Sequence, residues 1–284
     1  MRKTALAAGA AALLLLAGCS GDDTASNGGG GGNGDGGSGV VGNLFGDANS
    51  LADAASQNTS EKKSAKFTMT MNMMGLQATA EGEGLYDGAD SKQSMTMDMM
   101  GQKIDSIVVG DTMYMKMPQG MGGSADKPWM KQSLTAGDQS SQMMEYNDPS
   151  KMMEFIQKAG EITDSEETTV EGQQATHYKV ALDFEKMAGE LGGMAGGANA
   201  QEMAKKVGDL PMEVWLNDEQ LPIKITMDLS EVMKQAAAEA GGNASGMSGD
   251  AKIEMTYSDW GTPVNIEEPP ADQVGEMPTG AMPN

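Results

Sequence analysis

Cys19 is the only cysteine of this 284-residue chain, and it follows Leu16-Ala17-Gly18 at the end of an apolar run. Arg2 and Lys3 open the chain with positive charge. Ala5 to Leu16 form an apolar segment, and Ala17-Gly18 supply the small residues that a signal peptidase needs. A thiol placed there invites a specific chemistry. A diacylglyceryl group joins the sulfur, the preceding peptide is removed, and palmitate-type acyl chains tether the product to a membrane. An ordinary secretory signal with an incidental cysteine, or an uncleaved N-terminal anchor, fits the same residues. A bilayer span takes about 20 apolar residues, so the short run favours the lipidated Cys19 and a place on the extracytoplasmic face of the cell membrane.

Methionine is the second residue type with chemistry to offer. The chain holds 28 Met against 4 Phe. Met69, Met71 and Met73, then Met95, Met97 and Met99, then Met113, Met115 and Met117 recur at a spacing of two, which puts three thioethers on one side of each strand. Thioethers select Cu(I). However, alternate residues of a strand converge poorly on one ion, and the single histidine, His177, lies on the polar side of its strand, where it is expected to be solvated. The other chemistry is apolar. Flexible thioethers adapt to acyl chains of varied shape, and each buried methylene contributes about 0.8 kcal/mol. Ala78 and Ala80, with Gly82, form a small-residue face that leaves room opposite the methionines, and Val180 and Leu182 extend the apolar wall. Plain core packing against helices accounts for the same stripes, and the two readings can hold for different residues.

Catalytic constellations are missing from the sequence. It contains no Gly-x-Ser-x-Gly elbow, no His-Glu-x-x-His, no phosphate loop and no EF-hand pattern. Acidic clusters such as Asp164-Ser165-Glu166-Glu167 and Glu267-Glu268 read as solvated edges. An enzyme is not expected, and neither a cofactor nor a metal is called for. The formal net charge is −22. Without residues 1–18, which hold Arg2 and Lys3, 17 basic and 41 acidic side chains leave −24. Such a surface excludes nucleic acid as a natural partner and argues against charge-driven adhesion to an anionic membrane. Trp215 falls on the polar-side parity of its strand, which suggests a place under a helix or at an edge.

These residues need elements to position them. Residues 1–18 read as a lipoprotein signal peptide. Residues 19–44, rich in Gly, Ser, Asn and Asp, read as a flexible tether that cannot bury enough apolar surface to fold. Residues 45–275 suffice for one domain with a sizeable core, and 276–284 form a disordered tail. Leu51, Ala54 and Ala55 predict a short first helix. Period-two alternation then predicts strands over 66–73, 77–86, 94–99, 104–109 and 113–117. Asp148-Pro149 starts a helix. Further strands are expected at 162–170, 175–184, 212–216, 223–229 and 253–257, with 263–270 running out extended. The glycines around Gly192 and Gly241 predict mobile loops that could serve as an entrance. Most strands keep one polar face. The fold class is therefore α+β, a curved, mainly antiparallel sheet covered on its concave face by helices.

Several strand-and-turn motifs carry a resemblance. They are Val170-Glu171-Gly172 with His177-Tyr178-Lys179-Val180, Val214-Trp215-Leu216 with Leu221-Pro222-Ile223-Lys224, and Tyr257-Ser258-Asp259-Trp260-Gly261-Thr262-Pro263-Val264. Over residues 45–272 the chain resembles the LppX/LprA/LprF/LprG-type actinobacterial envelope lipoproteins of the LolA-like superfamily. The resemblance implies a half-barrel closed by helices around a hydrophobic cavity for acylated lipids or glycolipids. It further implies a membrane-anchored, monomeric carrier with an envelope transport partner. A sensor or accessory interaction module with a filled core is the alternative. The Met-rich strands and the glycine insertions depart from the family pattern.

Overall fold

Alternation at period two is realised as a single open, curved sheet of twelve strands in a computed structural model. The structure describes residues 45–73, 75–116, 124, 126–134, 148–190, 204–239 and 250–276. The strands are β1 (Ser64–Met73), β2 (Leu76–Leu85), β3 (Lys92–Met99), β4 (Gln102–Val109), β5 (Thr112–Lys116), β6 (Trp129–Ser133), β7 (Gly160–Val170), β8 (Gln173–Asp183), β9 (Asp209–Asn217), β10 (Pro222–Asp228), β11 (Lys252–Ser258) and β12 (Val274–Glu276). Their order across the sheet is β12-β6-β5-β4-β3-β2-β1-β11-β10-β9-β8-β7. Every pairing is antiparallel except β12 on β6. Through that strand the chain beyond Gln273 continues in register, with Val274 opposite Trp129 and Glu276 opposite Lys131.

The helices form where capping and periodicity agree. Helix α1 (Ala48–Lys62) is capped by Asp47, whose carboxylate accepts from the Ser50 N–H at 2.9 Å. It buries Leu51, Ala52, Ala55 and Thr59 along one stripe. Helix α2 (Pro149–Ala159) has Asp148 as its cap and Pro149 in its first turn, and it buries Met152, Met153 and Ile156. Gln157 of α2 donates to Asp53 of α1 at 2.6 Å. Helices α3 (Phe184–Glu190) and α4 (Ser230–Glu239) complete the set of seven residues or more among those described.

Packing of helices on strands is concentrated on β7 and β8. The core accordingly sits between α1, α2 and the inner faces of β7–β11 and β1, with Tyr178, Val180, Leu182, Leu210, Met212, Val214 and Met255 buried. The opposite face is polar and laced with exposed ion pairs such as Lys66–Asp259 and Lys179–Asp164. Pairs of that kind contribute little to stability individually. What they provide is a wetted back to the sheet. The sheet therefore has the one-sided burial that alternation predicted.

Candidate functional site

Register decides which side chains meet. Phe67, Met69 and Met71 of β1 stand opposite Gly82, Ala80 and Ala78 of β2. Those in turn stand opposite Met95, Met97 and Met99 of β3. Beyond β3, Met95 faces Ser106 and Met97 faces Ile104. Ser106 and Val108 then face Met115 and Met113 of β5. Side chains directly opposite share a face, so eight of the nine stripe methionines lie on the face that carries the core. The ninth, Met117, lies outside the described residues, as do Gly192 and Gly241 with the glycine-rich segments around them.

The stripes share a gradient. Along β1 the sequence runs from buried Ala65 and Phe67 through half-buried Met69 and Met71 to exposed Met73. Along β3 it runs from buried Gln93 through half-buried Met95 and Met97 to exposed Met99. On β5, Met113 is buried and Met115 half-buried. Antiparallel register brings the exposed ends of β1 and β3 to the same edge of the sheet, where the β1–β2 and β3–β4 hairpins turn. The methionine face thus passes from core to water along the strand direction. At the buried end, an added Cβ on Gly82 would lie 2.7 Å from the Phe67 ring, and one on Gly84 would lie 2.5 Å from the Tyr86 ring. The space the sequence left open over Gly82 is therefore filled by aromatic rings. Burial raises the Tyr86 phenol well above the usual tyrosine range, and it does the same for Tyr257.

Between the β1 and β3 stripes lies the small-residue column of Ala78 and Ala80. Flanking strands on either side of a third are separated by two spacings, about 9–10 Å. From Leu76 to Gly82 the column spans about 20 Å at 3.4 Å per residue. Ala78 is half-buried and Ala80 buried. An apolar chain laid along the column would displace the side chains that cover it. The same interleaving separates thioethers, because Ala78 and Ala80 stand between the stripes of β1 and β3 and Ile104 and Ser106 stand beyond β3. The backbones therefore do not gather three stripe sulfurs around one point. Among the described residues, no group of three or more His, Cys, Asp or Glu side chains could hold a metal.

Val180 and Leu182 belong elsewhere. They stand opposite Met212 and Leu210 in the helix-covered half and are 2% and 0% exposed. Sequence parity put them on the correct face. It carried no information on which half of that face the helices cover.

His177 departs from its expected solvation. It is buried on the outer face, stacked on Trp215 with ring centroids 4.2 Å apart and planes 2° from parallel. Its ring nitrogens lie 3.2 Å from Glu166 and 2.8 Å from Glu213. Trp215 lies mid-sheet between His177 and Lys224, whose ammonium stands 5.4 Å from the indole centroid. Its strand β9 lies between β8 and β10, so it is not at an edge of the sheet. Trp215 is paired directly opposite His177 on β8 and Lys224 on β10, and a strand-by-strand reading does not supply those pairings.

The site is thus an apolar, thioether-rich part of the inner face of the open sheet, beside the helix-covered half, with no group of three or more His, Cys, Asp or Glu able to hold a metal among the described residues. No family model and no curated sequence matches the chain. Solved structures do. LprF from Mycobacterium bovis is 13% identical and matches over 78% of this chain and 96% of its own, with a TM-score of 0.48. The lipoprotein LppX from Mycobacterium tuberculosis is 13% identical over 78% and 98%, with a TM-score of 0.46. A DUF1329 family protein from Desulfovibrio piger is 10% identical over 74% and 90%, with a TM-score of 0.26. The first two are namesakes of the group that the strand-and-turn motifs resemble.

Proposed function

We propose that this chain is a membrane-anchored envelope lipoprotein, lipidated at Cys19, that binds an acylated lipid or glycolipid and carries it. The chain is laid along Ala78 and Ala80 between the methionines of β1 and β3, with Met113 and Met115 beyond. The role is non-enzymatic. The observation that carries this reading is the shared gradient of the stripes, from buried residues beside Phe67 to exposed Met73 and Met99. A plain core has no reason to end in exposed thioethers on two neighbouring hairpins. A site that receives a chain from outside needs such an end. Binding at about 0.8 kcal/mol per buried methylene makes even partial enclosure useful. Unbranched thioethers supply a wall that re-packs around different chains.

The protein's acidity makes selection of an anionic headgroup by charge unfavourable, so the acyl portion is the recognised part. A tether of residues 19–44 would let the domain swing while anchored, and a further envelope protein would receive the cargo. The β7–β11 half supports a second role, since Tyr178, Val180, Leu182 and Val214 are at most 2% exposed. A filled half of this kind fits an interaction module as well as the backing of a carrier. The test is a substitution that fills the column. Ala78→Phe is expected to cut uptake of a fluorescent acyl lipid by the full chain at least tenfold, with the far-ultraviolet circular dichroism unchanged. Unchanged uptake would remove the column as the site.

A further inference from the structure

The two hairpins at the open end of the methionine face are unusual in what they display. Met73, Leu76, Met99 and Met100 are 40%, 56%, 45% and 77% exposed, and they are the exposed large hydrophobic residues among those described. All four sit on the β1–β2 and β3–β4 tips, at one edge of the sheet. The sequence writes both tips alike, as MNMMG at 71–75 and MDMMG at 97–101. Met100 and Gly101 have φ of 56° and 81°, the left-handed pair of a two-residue hairpin turn. Asn or Asp is the residue such a turn selects before glycine, and an L side chain there is strained. Methionine at Met100 thus opposes both the backbone preference and the solvent. Two independent preferences are overridden by one side chain at the most exposed point of the tip.

The surroundings indicate what would compensate. Asp98 stands opposite Lys103, and Asp228 opposite Lys252, so with exposed Asp250 the described strand ends beside the tips set two bases against three acids, while the exported chain carries −24 overall. A nearly neutral, apolar rim suits uncharged lipid headgroups better than an anionic or a cationic surface. Residues 19–44 join the proposed Cys19 anchor to the domain, so the rim stays tied to the membrane by 26 residues of chain.

We propose that the β1–β2 and β3–β4 tips insert into the interface of an uncharged lipid bilayer and seat the open end of the methionine face on it. The purpose of this docking rests on the reading of that face as an acyl-chain site, while its geometry does not.

The test uses the full chain with Cys19→Ser, so that an introduced thiol is unique, added to phosphatidylcholine vesicles. A nitroxide is placed by Met100→Cys, by Leu76→Cys or, at the opposite edge of the sheet, by Asp111→Cys. Collision with oxygen relative to a water-soluble nickel chelate reports depth. The docking requires a ratio at positions 76 and 100 at least fivefold above that at 111. Equal ratios at all three positions would overturn it. Mutual spin broadening of the tips without depth would also overturn it, because the occupant would then be a second copy. Lipid extracted from unlabelled chain reads the carriage separately. Retained lipid with aqueous tips sinks the docking alone, and inserted tips on a chain that retains no lipid support the docking and remove the carriage.

Discussion

Truncating Leu182 and truncating Met97 should have opposite signatures, although both lie on the inner face of the sheet. Leu182 is 0% exposed and faces Leu210, itself 0% exposed, in the helix-covered half of the sheet. Leu182→Ala should therefore cost about 2–5 kcal/mol through lost transfer energy plus a cavity. For a domain of this length each kcal/mol moves Tm by about 2–4 °C, so a fall of roughly 5–15 °C is expected. Met97 is half-buried on the graded face, and Met97→Ala forfeits only part of a side-chain burial worth about 1.5–3 kcal/mol. A fall of a few degrees follows. Ligand reverses the order. An acyl lipid at about 100 times its Kd adds about 2.7 kcal/mol to a binding-competent fold. The wild type and Leu182→Ala should show that gain in thermal melts with and without lipid, and Met97→Ala should lose most of it. Equal falls in Tm for the two variants, with equal gains from lipid, would refute the division of this face into a packed half and a receiving half.

Three further outcomes follow from individual contacts. Gly82→Ala would place a Cβ 2.3 Å from the Ser94 carbonyl oxygen and 2.7 Å from Phe67. Overpacking of this kind costs about 1–3 kcal/mol, read as a lower urea midpoint with unchanged slope, and an unchanged midpoint would contradict the close packing of β2 on β3. Met100→Gly should relieve the left-handed strain at φ 56° and raise stability by about 1 kcal/mol; a destabilised variant would show that the Met100 side chain packs within the domain. Ser230, through its hydroxyl and its backbone N–H, holds the Asp228 carboxyl below the ordinary value of 3.8. A depressed carboxyl stabilises fully above its unfolded value, and the contribution is lost as pH falls through the folded one. Asp228→Ala should therefore lower Tm at pH 7, and the deficit should shrink as pH falls below 3.8. A deficit that does not shrink on acidification would contradict the Ser230 contacts.

Much of the architecture was legible because period two is a local signal. The β1, β3 and β5 stripes, the helix start at Asp148-Pro149 and the wetted back of the sheet all follow from residue order alone. Adjacency in the sheet is less local. That β1, β2 and β3 are neighbours follows from short hairpins, whereas the closure of β1 on β11 joins residues nearly 190 positions apart. The division of the inner face is not local at all. Val180 and Met97 have the same parity and the same apolar character, and only the placement of α1 and α2 makes one core and the other half-open. His177 and Trp215 failed for a related reason. Each looks polar-sided along its own strand, and their stacking is a property of two strands side by side. The turn at Met100-Gly101 was hidden for a different reason, since methionine carries no turn signal and only its positive φ reveals the anomaly.

Carriage itself is read by native mass spectrometry of the exported, lipidated chain, followed by extraction of whatever it holds. A reproducible mass increment from an acyl lipid beyond the Cys19 modification is expected, retained in Leu182→Ala and lost in Ala78→Phe. An unshifted mass, with no uptake of added acyl lipid by the wild type, would contradict carriage and leave the filled half of the sheet, an interaction surface, as the working part of the protein.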